Sequence, residues 1–201
     1  LTAYLKQQGI ATKLYDLSAE LQTVLLQQEE MLPMACGKIK ESDASAVHRY
    51  TAVTDALFDG DSVPFQISYD SFTSRWDWKE PDDLTGFLST HAALLPYIEQ
   101  LPSLPELETS EYAAFSISFE SQLIPALLIA TRLRRQRNLS IIFGGSFFYN
   151  YLEAFLKLMS ALDLVDCLIT GPGESILEAL CRTGSQEPAR SHQLVASTLF
   201  G

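Results

Sequence analysis

The chain has 201 residues, 47% of them hydrophobic, and a mean hydropathy of +0.06, enough to bury a sizeable core in one domain or in one domain with a large insertion. A formal net charge of −11 and a pI near 4.6 exclude the basic footprint that nucleic acid demands. The sequence shows no signal-peptide pattern and no apolar run of membrane-spanning length; Cys36, Cys167 and Cys181 lie far apart without CxxC or zinc spacing, so a reduced, cytoplasmic protein is expected.

In chain order, Leu1 to Gln8 reads as the end of an amphipathic helix with Leu1, Tyr4 and Leu5 on one face, closed by Gly9. The chain opens in mid-helix, so residues upstream, a preceding strand and a larger parent protein are expected. Ala11 to Leu17 reads as a strand, with Asp16 and Ser18 able to cap the next helix. From Ala19 to about Ser110 the pattern is mostly helical: one helix to Pro33, one over Ser42 to Phe58, and one from Pro81 through Leu95 towards Leu101. Between the last two, Ser62 to Glu80 is aromatic and reads as irregular, with Phe65, Tyr69, Phe72, Trp76 and Trp78. Such a block is too long for a simple crossover and is expected to be a helical insertion on the sheet.

Three strand–turn–helix units come next. The first is strand Tyr112 to Phe119 with a helix from Ser121 to Gln136, whose Pro125 sits in the first turn, where a missing N–H costs least. Arg132, Arg134, Arg135 and Arg137 end this helix and are read as complements to its dipole. The second is the buried run Ile141-Ile142-Phe143, the turn Gly144-Gly145-Ser146 and a helix from about Asn150 to Leu162; the third is Val165 to Thr170, Gly171-Pro172-Gly173-Glu174 and a helix to Cys181. Gly184 to Gly201 reads as a loop and a last strand. This alternation predicts an α/β fold, a flavodoxin- or Rossmann-like doubly wound parallel sheet with right-handed crossovers and a large helical insertion between its second and third strands. The expected division is residues 1–18 with 111–201 as the α/β domain and 19–110 as the insertion. The carboxyl ends of the three clear strands carry Ser116-Ile117-Ser118, Gly144-Gly145-Ser146 and Thr170-Gly171-Pro172-Gly173. That rim is where open α/β sheets bind ligands.

The run from Ser116 to Ala126, the Gly144-Gly145 pair and the turn Gly171-Pro172-Gly173-Glu174 resemble the cobalamin-binding domain of B12-dependent radical SAM enzymes. The resemblance covers Tyr112 to about Leu180, and extends to Leu1–Ser18. It implies cobalamin held at the strand ends by Ser116, Ser118, Phe119, Gln122, Gly144, Gly145, Ser146, Gly171, Gly173 and Glu174, with the nucleotide tail near Ser116, Ser118, Gly144 and Gly145 and the corrin over Gly171 and Gly173. It also implies a carboxyl-terminal radical SAM barrel as partner, which would hold the 4Fe-4S cluster and S-adenosylmethionine, and a methyl transfer or peptide modification in the parent, with a peptide substrate. Pro172 stands where the family's Gly-Glu-Gly-Glu turn has its first Glu. The axial-ligand pattern Asp-x-His-x-x-Gly is absent, since His48, His91 and His192 do not match it, and the cysteines cannot form Cys-x-x-x-Cys-x-x-Cys. The chain by itself is therefore expected to bind rather than to catalyse, and no metal ligands are assigned. The other reading is a flavodoxin-like docking scaffold that has lost the cofactor and binds a peptide or protein partner. A nucleotide-binding enzyme is disfavoured, because there is neither a Walker A sequence nor GxGxxG.

Overall fold

A computed structural model of the chain describes residues 1–28, 65–67, 72–74, 79, 93–101, 110–136, 139–183 and 193–196. In chain order the elements are helices α1 (Thr2–Gln7) and α2 (Leu17–Leu26), strands β1 (Phe65–Ile67), β2 (Phe72–Ser74) and β3 (Tyr112–Ser116), a 3-10 turn (Glu120–Gln122) leading into α3 (Leu123–Gln136), then β4 (Ser140–Gly144), α4 (Phe148–Leu162), β5 (Cys167–Thr170), α5 (Glu174–Thr183) and β6 (Gln193–Ala196). Residues 93–99 are also helical. The chain divides into two compact units. The first holds Leu1–Tyr15, Leu104–Ser118 and Ile129–Gly201, the second Asp16–Ser103 and Phe119–Leu128.

The first unit is built on a parallel sheet in the order β3-β4-β5-β6. Its two faces are told apart by register. Ala114 pairs with Ile142 and Ile142 with Cys167, so Tyr112, Ala114, Ser116, Ile142, Gly144, Cys167 and Ile169 share one face, because strand side chains alternate. Leu5 and Leu177 pack on that face, joined by Tyr4, Ile10, Ile176 and Leu180, so α1 and α5 cover it. The opposite face carries Phe143, which meets Phe148 and Phe155 of α4 at ring-centroid distances of 6.3 and 5.7 Å and Phe115 edge-on at 5.0 Å. Phe143, Phe148 and Phe155 are fully buried, each contributing on the order of 2 kcal/mol of apolar burial. The sheet thus has helices on both faces.

The steps β4 to β5 and β5 to β6 go the same way across the sheet, with α4 on one face and α5 on the other.

Two polar devices fix the helices. The Schellman geometry ends α1, with Ile10 N–H donating to the Leu5 carbonyl and Gly9 N–H to that of Lys6, both at 3.0 Å, and Gly9 at φ +76°. Tyr4 Oη then donates to Glu178 Oε2 at 2.6 Å; Arg182 holds Glu178 Oε1 at 2.9 Å and donates to the Gln8 carbonyl at 3.2 Å. These contacts step together, Tyr4 with Glu178 and Gln8 with Arg182, so α1 and α5 run parallel, both away from the rim. At the far end of the sheet Arg134 of α3 donates to the carbonyls of Leu139 (2.8 Å) and Leu164 (3.0 Å) and pairs with Asp166. Asp166 Oδ2 also accepts from Ile141 N–H at 2.6 Å. Arg134 is thus a clamp on the starts of β4 and β5, beyond the dipole role its sequence position suggests.

Several sequence expectations are corrected. Ala11 to Tyr15 carries no regular structure, Leu14 is 75% exposed and Leu17 already starts α2; it has no ladder neighbour among the described residues, and strand composition alone does not make a strand. The strand from Tyr112 stops at Ser116, since after Ile117 the chain turns into the 3-10 segment. Helix α4 starts two residues early, at Phe148, and is broken at Tyr151 (φ −130°, ψ 20°). In the second unit the aromatic segment read as irregular contains the antiparallel pair β1–β2, in register Phe65↔Ser74. Leu21, Val24 and Leu25 of α2 and Leu94 and Ile98 of the helical residues 93–99 are buried, and Asp16 Oδ1 caps α2 by accepting from Ala19 N–H at 3.0 Å. The helix expected over Ser42–Phe58 lies outside the described residues. Among the described residues no helix is long and apolar enough to cross a membrane.

Replacing Arg134 with Ala is expected to cost about 2 kcal/mol, since it removes the donor to two carbonyls and leaves Asp166 with the Ile141 N–H but without its cation; urea denaturation checks this. The α1–α5 clasp is expected to be pH-dependent in both directions. The hydrogen bond to Tyr4 holds the Glu178 carboxyl below its usual range, so its stabilisation is present above about pH 4.3 and fades as acid titrates the folded form. The same bond raises the Tyr4 phenol, whose stabilisation is full below about pH 10 and is lost above it. NMR shifts of the Leu5 and Ile10 methyls should report loosening of the clasp at both extremes, and the alkaline response should be lost with Tyr4→Phe.

Candidate functional site

The rim at the carboxyl ends of β3, β4 and β5 is organised by one backbone contact. Gly145 has φ +115°, and a Cβ there would lie 2.2 Å from the Ile117 carbonyl oxygen and 2.7 Å from its nitrogen. Ile117 is stitched on both sides, with its N–H donating to the Gly144 carbonyl at 2.7 Å and its carbonyl accepting from Phe147 N–H at 3.2 Å. Glycine is therefore demanded at 145 by the chain's own packing. Gly171 is likewise at φ +119°. Gly144 and Gly173 are different. At Gly144 a Cβ would meet the Ile169 carbonyl oxygen at 3.2 Å, and at Gly173 it would make only ordinary contacts, 3.7 Å to Ile169 and 3.8 Å to Leu177.

Ser116 stands directly opposite Gly144 in the β3–β4 register. Both belong to the α1/α5 face, and Ala114 and Ser116 are exposed there. The result is a shallow strip of small residues, Ala114, Ser116 and Gly144, running to the rim. Ser118 and Ser146 are exposed on the loops beyond. Ser146, Tyr149 and Asn150 are exposed on a turn closed by Tyr149 N–H to the Ser146 carbonyl (3.2 Å) and Asn150 N–H to that of Phe147 (3.3 Å), while Phe147 and Phe148 anchor it in the core. Tyr149 and Asn150 carry no motif and were not singled out by sequence; the signal was their place just after a glycine turn. Gly173 precedes α5, its carbonyl accepting from Leu177 N–H at 2.9 Å, and Glu174 takes the first helical position, where the dipole favours a carboxylate.

Of the ten residues assigned by sequence, eight lie at this rim: Ser116, Ser118, Gly144, Gly145, Ser146, Gly171, Gly173 and Glu174. Phe119 and Gln122 belong to the second unit. Gln122 already has two tasks there, as its Oε1 accepts from Phe119 N–H at 3.2 Å and its Nε2 donates to Ser18 Oγ at 3.3 Å. Phenylalanine has no acceptor, so this is only the returning half of a capping box.

The cysteines supply no reactive thiol among the described residues. Burial pushes the Cys167 and Cys181 thiols up, with Asp166 and Glu111 adding to it. No group of three or more His, Cys, Asp or Glu able to hold a metal ion occurs among the described residues; His48, His91 and His192 lie outside them. A depression of about 380 Å³, lined by Ser175, Ile176, Ala179, Leu180 and Thr183, is apolar and lies along α5 rather than at the rim.

No known family model matches the chain, and neither a curated protein nor a solved structure matches it.

The two kinds of rim glycine separate experimentally. Gly145→Ala is expected to cost about 3 kcal/mol or more, from the positive φ and the backbone overlap together. Gly173→Ala is expected to cost no more than about 1 kcal/mol, the preference of a helix cap for Gly over Ala. Chemical denaturation of the two variants checks both.

Proposed function

We propose that the first unit is a cobalamin-binding module of the flavodoxin-like kind, working with a radical SAM barrel that this sequence does not contain. The observation that supports it is the strip Ala114-Ser116-Gly144 on the sheet face shared by α1 and α5, small throughout, exposed at Ala114 and Ser116 and half-buried at Gly144, with Ser118, Ser146 and Gly173 at the rim beyond. A flat macrocycle with a bulky tail needs such a surface: no side chain at Gly144, and hydroxyls at Ser116, Ser118 and Ser146 for the tail's polar atoms. Glu174 adds a carboxylate acceptor at the start of α5. The fit is selective. Gly145 and Gly171 serve the chain's own turns, and Phe119 and Gln122 drop out of the proposed contact set. Bound cobalamin would supply a cobalt centre able to carry a methyl group; the residues here bind and orient it. The second reading, a docking scaffold without cofactor, is favoured by the self-sufficiency of Gly145, whose contact with Ile117 is complete without a ligand.

Titration with aquocobalamin, followed by its visible spectrum and by equilibrium dialysis, tests the reading. Saturable one-to-one binding is expected, and Ser116→Phe, an exposed site, should weaken it at least about tenfold (1.4 kcal/mol) without shifting the unfolding midpoint. Absence of saturable binding by the folded protein sinks the cobalamin reading and leaves the scaffold.

A further inference from the structure

The charge at the rim has one sign. Ser116 to Ser118, Gly144 to Asn150 and Thr170 to Glu174 form it, and among these described residues there is no Lys, Arg or His. Glu174 is the one charged side chain they include. The start of a helix carries partial positive charge and by itself draws anions. At α5 that attraction is already answered by a carboxylate of the chain.

Glu174 is also the first rung of a ladder. Glu174, Glu178 and Arg182 are four residues apart on α5 and so share one flank of the helix. That flank is turned to α1. Glu178 uses both oxygens there, accepting from Tyr4 Oη at 2.6 Å and from Arg182 Nε at 2.9 Å. Arg182 also donates to the Gln8 carbonyl. The Tyr4 phenol, held up chiefly by its bond to Glu178, is raised further by the charge of Glu174. Glu174 thus stands on the α1 side of α5, at the end nearest the rim. The strip Ala114-Ser116-Gly144 lies on the sheet face that these two helices cover. Glu174 is half-buried, yet it has neither a hydrogen bond nor an ion pair among the described residues. Its neighbour on the flank, Glu178, has the same charge, and like charges at this spacing repel. The two lower rungs are satisfied within the chain and the rung at the rim is not. The helix dipole favours a carboxylate at this position, but a half-buried carboxylate gains most from a donor of its own.

We propose that Glu174 sets the ligand chemistry of the rim: its carboxylate accepts from an N–H donor of the ligand, a carboxamide, amine or guanidine group, and turns anionic groups away. The proposal rests on the reading of the rim as the ligand site. Within the cobalamin reading it assigns recognition to the peripheral carboxamides of the corrin, each with two N–H donors, while the Ser116 and Ser146 hydroxyls can donate to amide oxygens. This is the reverse of the chemistry for which a glycine-rich turn before a helix is generally used, the cradling of phosphate.

Two titrations of the 201-residue chain test it. The first uses guanidinium chloride and sodium pyrophosphate as probes, at equal, sub-denaturing concentration and matched ionic strength, followed by the amide shifts of Gly173, Glu174 and Ser175. Guanidinium should move these shifts and pyrophosphate should not. Glu174→Gln should weaken the guanidinium response at least about threefold. Glu153→Gln, the same change of charge at an exposed position of α4, should leave it unaltered. Pyrophosphate binding at the wild-type rim overturns the proposal, and so does a guanidinium response that is absent or survives Glu174→Gln. The second titration compares aquocobalamin with derivatives in which one peripheral carboxamide is a carboxylate. At least one derivative should bind at least about tenfold more weakly (1.4 kcal/mol), with most of the loss recovered in Glu174→Gln. If every derivative binds as aquocobalamin does, the proposal is overturned and the cobalamin reading stands. If aquocobalamin itself does not bind, the cobalamin reading falls and the first titration decides alone.

Discussion

The Gly145 backbone resting on the Ile117 peptide is the constraint that shapes the rim. A peptide unit has no side chain to retract, so the close approach is possible only if residue 145 lacks a Cβ and adopts a positive φ. Once that contact is made, Ile117 is held from both sides, by the Gly144 carbonyl and the Phe147 amide. The chain after β3 must leave the sheet, and the chain after β4 must turn at once into α4. Phe147 and Phe148 then drop into the aromatic cluster around Phe143. What is left facing out, Ser116 at the end of β3, Ser118 and Ser146 on the loops, and Tyr149 and Asn150 at the start of α4, is the part not consumed by this packing.

The two ends of the sheet are held by different physics. At the rim the contacts are backbone on backbone, short and intolerant of added atoms. At the opposite end they are charged and longer-armed, as the Arg134 guanidinium spans Leu139, Leu164 and Asp166. The α1–α5 clasp through Tyr4, Glu178 and Arg182 lies along one face. It adds orientation to an apolar contact that Leu5, Ile142 and Leu177 already make. Tyr112 contributes to the same seam by donating to the Leu180 carbonyl at 3.0 Å.

Much of the sheet was legible because burial on both faces leaves a continuous apolar run. Ile141-Ile142-Phe143 is such a run, and all three residues are buried. Gly9 and Asp16 were legible for a different reason, since a helix end has few chemical solutions. Misreadings came where the decisive partner is distant in sequence. Ala11 to Tyr15 has strand composition, but composition does not supply a neighbour to pair with. Phe65 to Ser74 reads as irregular because three-residue strands are too short to show alternation. The roles of Arg134 and Gly145 depend on contacts with Asp166 and Ile117, 32 and 28 residues away, which no local pattern reports. At the candidate site, eight of the ten assigned residues gather on one rim. Phe119 and Gln122 looked alike in sequence only because they continue the same run, and the unit boundary falls between Ser118 and Phe119.

The Arg134 clamp has a consequence for how such a protein can change over generations. It secures the starts of β4 and β5 with one guanidinium at the end of the sheet farthest from the rim. Lengthened, shortened or rewritten rim loops would leave its three acceptors where they are. Selection can therefore experiment with ligand chemistry at one pole while the other keeps the strands in register, provided Gly145 is spared.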